Sequence, residues 1–411
     1  MRLFLFLLGF TLATLNPVWA KVIELHKGIS TDIWVTWPNE ARLENEPSLT
    51  ALFPEWRHTI GAEQISNLRK AGFDFVRLAI DPLPYLWQPS AEKTAKLNDN
   101  VKAAVQLFRD HDLNVVVDFH AIPKGEDRAL GSETYLSSPA KFSDFVAQSA
   151  SLAKALDGFD PAHVAYEPIN EPTVDCPFGN SPRPHTWRAM ALQLHHAVRA
   201  AASNLTLVMQ GSCWGGAYGL EDLDPRKFND TNLIWDFHNY EPFLFTHQGS
   251  SWTMGTECFV RGLHFPPQAS QRKFIIADTI ARINASDMSD THKAEQIKHA
   301  RYNLDLYFKP GAVLRLHVEA FDRAAAWAKK YHLAPNQIML GEFGANSTSE
   351  TASHLAADRL TFVKSSRHEA EKRGFSWALW NWSGTFSPTN NDQDRVVLSS
   401  YINALGLVAR E

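Results

Sequence analysis

The sequence predicts an α/β fold, a closed (β/α)8 TIM barrel with a long insertion after the sixth strand. Eight apolar runs of strand length recur along the chain, helical stretches lie between them, and most of the runs are continuous Val, Ile, Leu and Phe. Continuous apolar runs are typical of strands that are covered on both faces, as in parallel sheets. Eight such β/α units favour a closed barrel, and an open, doubly wound sheet is the alternative.

The predicted strands follow residues that can end a helix. Gly72 precedes FDFV, Asn114 precedes VVVD and Gly374 precedes FSWA. In chain order, the eight strands are predicted at 25–30, 73–80, 114–120, 164–170, 205–211, 233–240, 337–344 and 375–382.

Amphipathic helices are predicted between these strands. From Phe142 to Leu156, apolar side chains recur at steps of three and four residues. NVKAAVQLFRDH, at 100–111, and HVEAFDRAAAWAKKYH, at 317–332, show the same spacing. The chain therefore alternates strand and helix, as a barrel requires.

Residues 241–311 form a predicted insertion between the sixth strand and the next helix. Such loops usually have about two to six residues, so the insertion must contain structure of its own. One helix is predicted within it at 294–308, AEQIKHARYNLDLYF. Because long strand-to-helix loops lie on the catalytic face of a barrel, we expect the insertion to line the substrate site.

Residues 1–20 are typical of a cleaved secretory signal. They combine one Arg, an apolar stretch and a small-residue site at Val18-Trp19-Ala20. The apolar stretch is shorter than the roughly 20 residues that a membrane span needs. We therefore expect a protein secreted to the periplasm or the medium, with residues 21–411 folded as a single catalytic domain.

Composition narrows the class of partner. The formal net charge is -5 and both signs are interspersed, so nothing indicates a nucleic-acid surface or a strongly charged polymer as partner, and a neutral partner is favoured. Cys176, Cys213 and Cys258 lack metal-ligand spacing and allow at most one disulfide within the chain, whose pairing the sequence leaves open. We expect a monomer without a cofactor, a metal or a membrane span.

Polar and aromatic residues gather at the ends of the predicted strands, which converge on one mouth in a parallel barrel. They are Arg77, Asp118, His120, Asn170, Glu171, His238, Tyr240, Glu342 and Trp380. Each one alone is more often a structural group, so the argument lies in their joint placement.

Glu171 and Glu342 would face each other across this mouth. Cleavage of a glycosidic bond requires such a pair, one protonated acid and one ionised carboxylate. Arg77 and the hydroxyl of Tyr240 beside Glu342 would favour its charged form, and that charge would hold the proton on Glu171.

Four motifs in strand order resemble glycoside hydrolase family 5, of the cellulase clan. They are Ile-Asn-Glu-Pro at 169–172, Phe-His-Asn-Tyr at 237–240, Gly-Glu-Phe-Gly at 341–344 and Ala-Leu-Trp-Asn-Trp at 378–382. The resemblance implies that Glu171 is the general acid/base and Glu342 the nucleophile of a retaining mechanism. It also implies that Asn170 contacts the sugar 2-hydroxyl, and that the rest of the site consists of Arg77, His120, His238, Tyr240 and Trp380.

Two further residues are interpreted beside that resemblance. EPFLFTHQGSSW, at 241–252, is similar to the loop after strand six in bacterial endoglucanases of the family, which would make Trp252 a wall of a sugar-binding subsite. Glu167 lies deeper in the barrel, and we interpret it as a buried structural carboxylate paired with a cation such as Arg77.

The alternatives are less well supported. A metal-dependent hydrolase could use His120, Asp118, His238 and Asp236, but no closely spaced pair of His ends a predicted strand, and no Gly-x-Ser-x-Gly elbow supports a serine nucleophile. A secreted carbohydrate-binding protein on a barrel scaffold should have lost a carboxylate.

The expected substrate is a neutral β-1,4-glucan, a polysaccharide or oligosaccharide, cut at internal bonds. β-Mannan, mixed-linkage or β-1,3-glucan, and the maker's own exopolysaccharide stay open, because the fold does not decide among them.

Overall fold

The computed structural model of the protein describes residues 22–31, 35, 60–121, 131–176, 186–253, 255–347 and 355–410. Eight parallel strands close into a barrel in the order β1 to β8. Strand β1 pairs with β2 on one side and with β8 on the other, so that Gly28 lies opposite both Phe75 and Ala378. This closure confirms the (β/α)8 TIM barrel and rules out the open, doubly wound sheet.

All eight predicted strands are present. They are β1 Lys27–Ser30, β2 Phe75–Ile80, β3 Asn114–Phe119, β4 Val164–Glu167, β5 Thr206–Gln210, β6 Leu233–His238, β7 Ile338–Glu342 and β8 Ser376–Leu379. Several end before their predicted limits, so that Tyr240 and Trp380 lie in the loops that follow β6 and β8, while Glu171 lies beyond β4 as predicted.

Helices cover the outside of the barrel. The longer ones are Ala62–Ala71, Ala91–Arg109, Pro139–Leu156, Thr186–Ala201, Arg272–Asn284, Asp290–Tyr307, Ala312–Lys330 and Ala356–Glu371. Single turns lie at Leu83–Leu86, Glu133–Leu136, Ala217–Leu220 and Phe243–Thr246, and a short helix at Ser399–Ala404. The hydroxyls of Ser90 and Ser138 accept the backbone N–H groups of Lys93 and Lys141, which fixes where two of the long helices begin.

Alternate residues of strands β2 to β8 enter two different apolar cores. One core, between strands and helices, takes residues such as Val76, Val117 and Leu340. The other fills the barrel interior with Ile23, Leu25, Phe75, Val116, Ala165, Val208, Ile234, Met339 and Ala378. A Cβ at Gly28 would lie 2.3 Å from the Phe75 ring, so the absence of a side chain there lets this ring occupy the interior.

The stretch between β6 and helix Ala312–Lys330 contains the predicted helix, at Asp290–Tyr307, and a second helix, at Arg272–Asn284, that the sequence pattern did not reveal. The second helix buries only Ile275, Thr279 and Ile283, a stripe too narrow to give a strong period. The Tyr307 hydroxyl donates to the His264 carbonyl at 2.7 Å, which attaches these helices to the loop after β6.

Cys176 and Cys213 form a disulfide, which leaves Cys258 as a thiol. The predicted signal at residues 1–20 lies outside the described residues. Among the helices that the structure describes, none combines the length and apolar character needed to cross a bilayer.

Candidate active site

The mouth of the barrel is formed by the strand residues two positions beyond the interior core. Because side chains alternate along a strand, residues two apart point to the same side. Two positions after the interior residues of β2 to β8, the chain has Arg77, Asp118, Glu167, Gln210, Asp236, Gly341 and Trp380. A polar layer therefore lies directly above an apolar one.

Arg77 is the centre of that polar layer. Its guanidinium is fully buried and donates through Nε to Glu167 at 2.7 Å, and through Nη1 to Oε1 of Glu342 at 2.7 Å. Its Nη2 donates to Oδ1 of Asn170 at 2.7 Å and lies 3.0 Å from Asp118. Arg77 thus joins residues of four strands or their following loops, and its predicted pairing with Glu167 is confirmed.

Glu167 is one of the completely buried carboxyl groups of this network. Burial raises its pKa, the charge of Arg77 opposes that effect, and the nearby Asp118 and Asp236 add to it. Its burial and its pairing with Arg77 agree with the structural role predicted for it.

Glu342, at the end of β7, receives a hydrogen bond on each oxygen. Arg77 contacts Oε1, and the Tyr240 hydroxyl donates to Oε2 at 2.9 Å. Burial and the charge of Glu342 raise the pKa of Tyr240 well above its ordinary value, so the phenol keeps its proton and can donate. Both contacts expected from the sequence are present.

Glu171 lies in the loop after β4 with its backbone in the left-handed region, at a φ of 45°. Its N–H donates to Oε1 of Gln210 at 2.7 Å, and its carbonyl accepts from the Ser132 hydroxyl at 2.6 Å. The side chain is 29% exposed, against 5% for Glu342. The loop thus presents Glu171 to the open mouth in a conformation that the surroundings must hold.

His238 lies between the two glutamates. Its Nδ1 is 2.8 Å from Oε1 of Glu171 and 3.6 Å from Oε2 of Glu342, and its Nε2 is 3.3 Å from Asp236. Burial disfavours the charged imidazolium, but the charge of Glu342 and the hydrogen bond to Asp236 outweigh it and raise the pKa of His238 well above its ordinary value.

The two carboxyl groups stand close together. One oxygen of Glu171, one of Glu342 and a ring nitrogen of His238 all lie within 4.8 Å of one another. Carboxyl groups about 5–5.5 Å apart are typical of retaining glycosidases, whereas inverting enzymes leave about 6.5–9.5 Å for a water molecule. The same three groups are also spaced so that they could hold a metal ion, a different set from the one considered from the sequence.

Asn170, His120 and Trp380 form one side of the mouth. Nδ1 of His120 is 2.7 Å from Asp118, and Nε2 lies 3.2 Å from Nδ2 of Asn170. A neutral ring with its proton on Nδ1 satisfies both contacts. The Trp380 ring stacks on His120 with a centroid distance of 5.1 Å, which fixes the orientation of a flat surface beside Glu342.

Trp252 lies on a chain of aromatic rings that leads away from Glu342. Its ring centroid is 6.2 Å from that of Phe386, which in turn is 6.1 Å from that of Tyr240. His247 packs among the three rings. Trp252 is 49% exposed, so a large apolar face remains open to a ligand.

The disulfide joins the loop of Glu171 to the loop after β5. Besides the Cys176–Cys213 bond, the N–H of Cys213 donates to Val174 and the N–H of Trp214 donates to Pro172. The position of Glu171 therefore depends on the neighbouring loop as well as on its own.

No role was predicted from the sequence for Gln210 or Phe386, and Asp236 was predicted only as a possible metal ligand. Gln210 and Asp236 lie two residues after Val208 and Ile234, so the alternation of β5 and β6 was the signal that could have placed them in the mouth. Phe386 lies in a short turn beyond β8 and has no comparable signal.

A family model for cellulases, glycosyl hydrolase family 5, matches residues 41–385 of the chain. The chain is 24% identical over 396 residues to Endoglucanase 3 of Fibrobacter succinogenes, covering 92% of this chain and 52% of that protein. It is 25% identical over 213 residues to Endoglucanase C of Acetivibrio thermocellus, covering 51% of this chain and 58% of that protein. The matched parts thus span little more than half the length of these relatives.

Solved structures of Thermotoga maritima Cel5A share the fold. Those in complex with cellobiose and with mannotriose match with a TM-score of 0.62 at 20% identity, covering 93% of this chain and 97% of that chain.

Proposed function

The chain belongs to the cellulase family, glycosyl hydrolase family 5, and is therefore a glycoside hydrolase; on that premise we propose that it cleaves internal β-1,4-glucosidic bonds of a β-glucan with retention of configuration. The observation that carries this proposal is the closeness of Glu171 and Glu342, whose carboxylate oxygens come within 4.8 Å across the mouth. Both carboxylates and the family speak against a protein that only binds carbohydrate.

In the proposed first step, Glu342 attacks the anomeric carbon and forms a covalent bond to the sugar. Arg77 and Tyr240 donate to its two oxygens, which favours the ionised carboxylate that the attack requires. The glycosidic bond breaks, and the proton of Glu171 passes to the leaving oxygen. The greater exposure of Glu171 suits a group that must reach the departing chain.

In the second step, Glu171 takes a proton from a water molecule, whose oxygen attacks the anomeric carbon and releases Glu342. His238 contacts Glu171 at 2.8 Å and lies within 3.6 Å of Glu342. Its Nδ1 can therefore interact with either carboxyl group as the charge on each changes during the reaction.

The charge of the mouth supports an oxocarbenium-like transition state. Five carboxyl groups, those of Asp118, Glu167, Glu171, Asp236 and Glu342, surround one guanidinium and His238. Even with Glu171 protonated as the acid, the other carboxyl groups outnumber the two cations, and carboxylate charge in a buried site stabilises positive charge that develops on the sugar.

The proposed substrate is a neutral glycan that stacks on aromatic rings. Trp252 presents an open face, and Trp380 is held flat by His120. β-Mannan is a second candidate, because the similar Thermotoga maritima Cel5A has been solved with mannotriose as well as cellobiose.

We also propose that the protein is exported. The Cys176–Cys213 disulfide supports this, because such bonds persist mainly in oxidising compartments.

The substrate is tested with a reducing-sugar assay on carboxymethyl-cellulose, lichenan, laminarin and mannan, combined with the size of the products. We expect the highest rate on carboxymethyl-cellulose and a rapid fall in its chain length. Activity confined to mannan would overturn the glucan assignment, and release of small sugars alone would overturn internal cleavage.

Retention is tested by proton NMR of the first product formed. We expect the β-anomer, and an initial α-anomer would exclude double displacement. Glu342→Gln should lower turnover by several orders of magnitude with the fold unchanged by circular dichroism, whereas Glu319→Gln, on the exposed face of helix Ala312–Lys330, serves as the matched control and should keep full activity.

The acid role of Glu171 is tested with two kinds of substrate. Glu171→Ala should lower turnover of the polymer by about 10²- to 10⁴-fold, because the leaving sugar needs a proton. It should affect bond cleavage much less for 2,4-dinitrophenyl β-cellobioside, whose leaving group departs unprotonated. Equal losses on the two substrates would remove Glu171 as the acid.

A further inference from the structure

Gln210, the last residue of β5, is a completely buried member of the polar layer. We infer that Gln210 is a positioning residue that holds the Glu171 backbone and the His238 ring in the geometry needed for proton transfer. This inference rests on the acid/base role proposed for Glu171.

The two ends of the Gln210 amide serve different partners. Its Oε1 accepts the N–H of Glu171 at 2.7 Å. Its Nε2 lies 2.5 Å from Oε1 of Glu167, 2.7 Å from Oδ2 of Asp236 and 3.0 Å from Nε2 of His238. One side chain therefore connects the Arg77–Glu167 network below with the Glu171–His238 pair above.

The contact to Glu171 acts on a strained part of the backbone. A non-glycine residue at a φ of 45° is held there by its surroundings, and the two main-chain groups of Glu171 are fixed by Gln210 and Ser132. Loss of the Gln210 contact leaves the N–H of Glu171 without its acceptor. The loop can then relax, and the carboxyl group moves away from the leaving oxygen.

The contacts to Asp236 and His238 act on the other side of the same carboxyl group. Asp236 accepts from Gln210 and lies beside Nε2 of His238, while Nδ1 of His238 contacts Glu171. The amide nitrogen has two hydrogens for three neighbours, and the two carboxylates are its natural acceptors. His238 is then free to donate to Asp236 and to Glu171.

The surroundings of Gln210 are built to hold it. Its main-chain carbonyl accepts from the indole N–H of Trp187 at 3.0 Å. A Cβ at Gly215 would lie 2.9 Å from its Oε1, and Gly215 has a φ of 65°, so a residue without a side chain leaves room for the amide.

Only an amide satisfies this position. A carboxylate would place another negative charge against Glu167 and Asp236 and could not donate to them. A methionine side chain has a similar shape but offers neither a donor nor an adequate acceptor. These two replacements therefore separate the shape of Gln210 from its hydrogen bonds.

The test measures kcat/KM of Gln210→Met for cellohexaose and for 2,4-dinitrophenyl β-cellobioside, because kcat/KM reports cleavage of the glycosidic bond and not the later hydrolysis step in which Glu171 acts as base. We expect a loss of about 10- to 100-fold on cellohexaose, part of the full contribution of an acid, and a loss of a few-fold on the activated substrate. Gln210→Glu should show the same selectivity, with its polymer activity falling further as pH rises and the new carboxyl group ionises.

Gln248→Met is the matched control, because Gln248 is also buried but, among the described residues, its side-chain amide hydrogen-bonds to the main chain of Phe245 and Leu263 alone. We expect it to affect both substrates equally. Equal losses on both substrates in the two Gln210 variants would overturn the inference and leave Gln210 a purely structural residue.

Glu171→Ala is measured beside these variants. If it shows the leaving-group selectivity and the Gln210 variants do not, the inference fails while the proposed function stands. If Glu171→Ala itself lacks selectivity, the proposed acid fails first and the inference falls with it.

Discussion

His247 should make the protein less stable in mild acid. Its ring stacks on Phe243 at a centroid distance of 3.9 Å and packs between Tyr240 and Phe386, and only 8% of the residue is exposed. Burial lowers the pKa of His247 to about 3. An exposed histidine of the unfolded chain has a pKa of about 6.5.

The sign follows from proton linkage. Above pH 6.5 His247 is neutral in both states, so it makes no pH-dependent contribution. As pH falls below 6.5, His247 of the unfolded chain binds a proton, whereas His247 of the folded protein stays neutral. The free energy of unfolding therefore decreases progressively toward pH 3. At pH 5 the loss is about 2 kcal/mol.

The assay compares the wild type with His247→Phe in urea denaturation at pH 7.5 and pH 5. The difference in free energy of unfolding between the two proteins should shift by about 2 kcal/mol in favour of the variant at pH 5. His292→Phe, at the exposed start of a helix, is the control and should leave the pH dependence of the wild type unchanged. A His247→Phe curve parallel to that of the wild type would refute the reasoning.

Three further outcomes are expected. Trp252→Ala should raise KM on long oligosaccharides by about 2- to 10-fold with little change in kcat, because one stacking face is lost. Phe274 is 70% exposed on the insertion, and Phe274→Ala, which also removes an aromatic ring, should change neither constant. An unchanged KM in Trp252→Ala would remove Trp252 from the binding surface. Gly341→Ala should lower the free energy of unfolding by about 1–3 kcal/mol and also reduce turnover, since its Cβ would lie 2.2 Å from Asp236. Gly158→Ala, with open space around it, is the control and should stay within about 0.5 kcal/mol of the wild type. Thermal unfolding and a polymer assay measure both effects, and a Gly341→Ala protein with wild-type stability and turnover would contradict the expectation. Dialysis against EDTA should leave activity unchanged, and a loss restored by added metal would revive a metal mechanism.

The strands could be predicted from the sequence because burial on both faces leaves continuous apolar runs. Their ends could not, since Ile169, Phe343 and Trp382 are as apolar as the strands and yet lie beyond them. The Arg272–Asn284 helix could not be predicted, because it buries too few residues for its apolar positions to show a helical repeat in the sequence.

The contacts of Arg77 and Tyr240 with Glu342 could be expected from their places at the strand ends. The pairing of Cys176 with Cys213 could not, because it depends on two loops that meet only after the strands have paired. Gln210 reads as an ordinary polar end to an apolar run, and its importance appears only from the partners on both sides of its amide.

Because a polar layer lies on an apolar one, tolerance to mutation differs between the two levels of the barrel. Replacing Val208 or Ile234 with another aliphatic residue changes packing alone, and a neighbour can adjust. One level up, each of Arg77, Gln210 and Asp236 serves at least two partners at once. Diversification of such a protein toward new glycans is thus directed to the loops around the opening, while the ring beneath them changes only as a set.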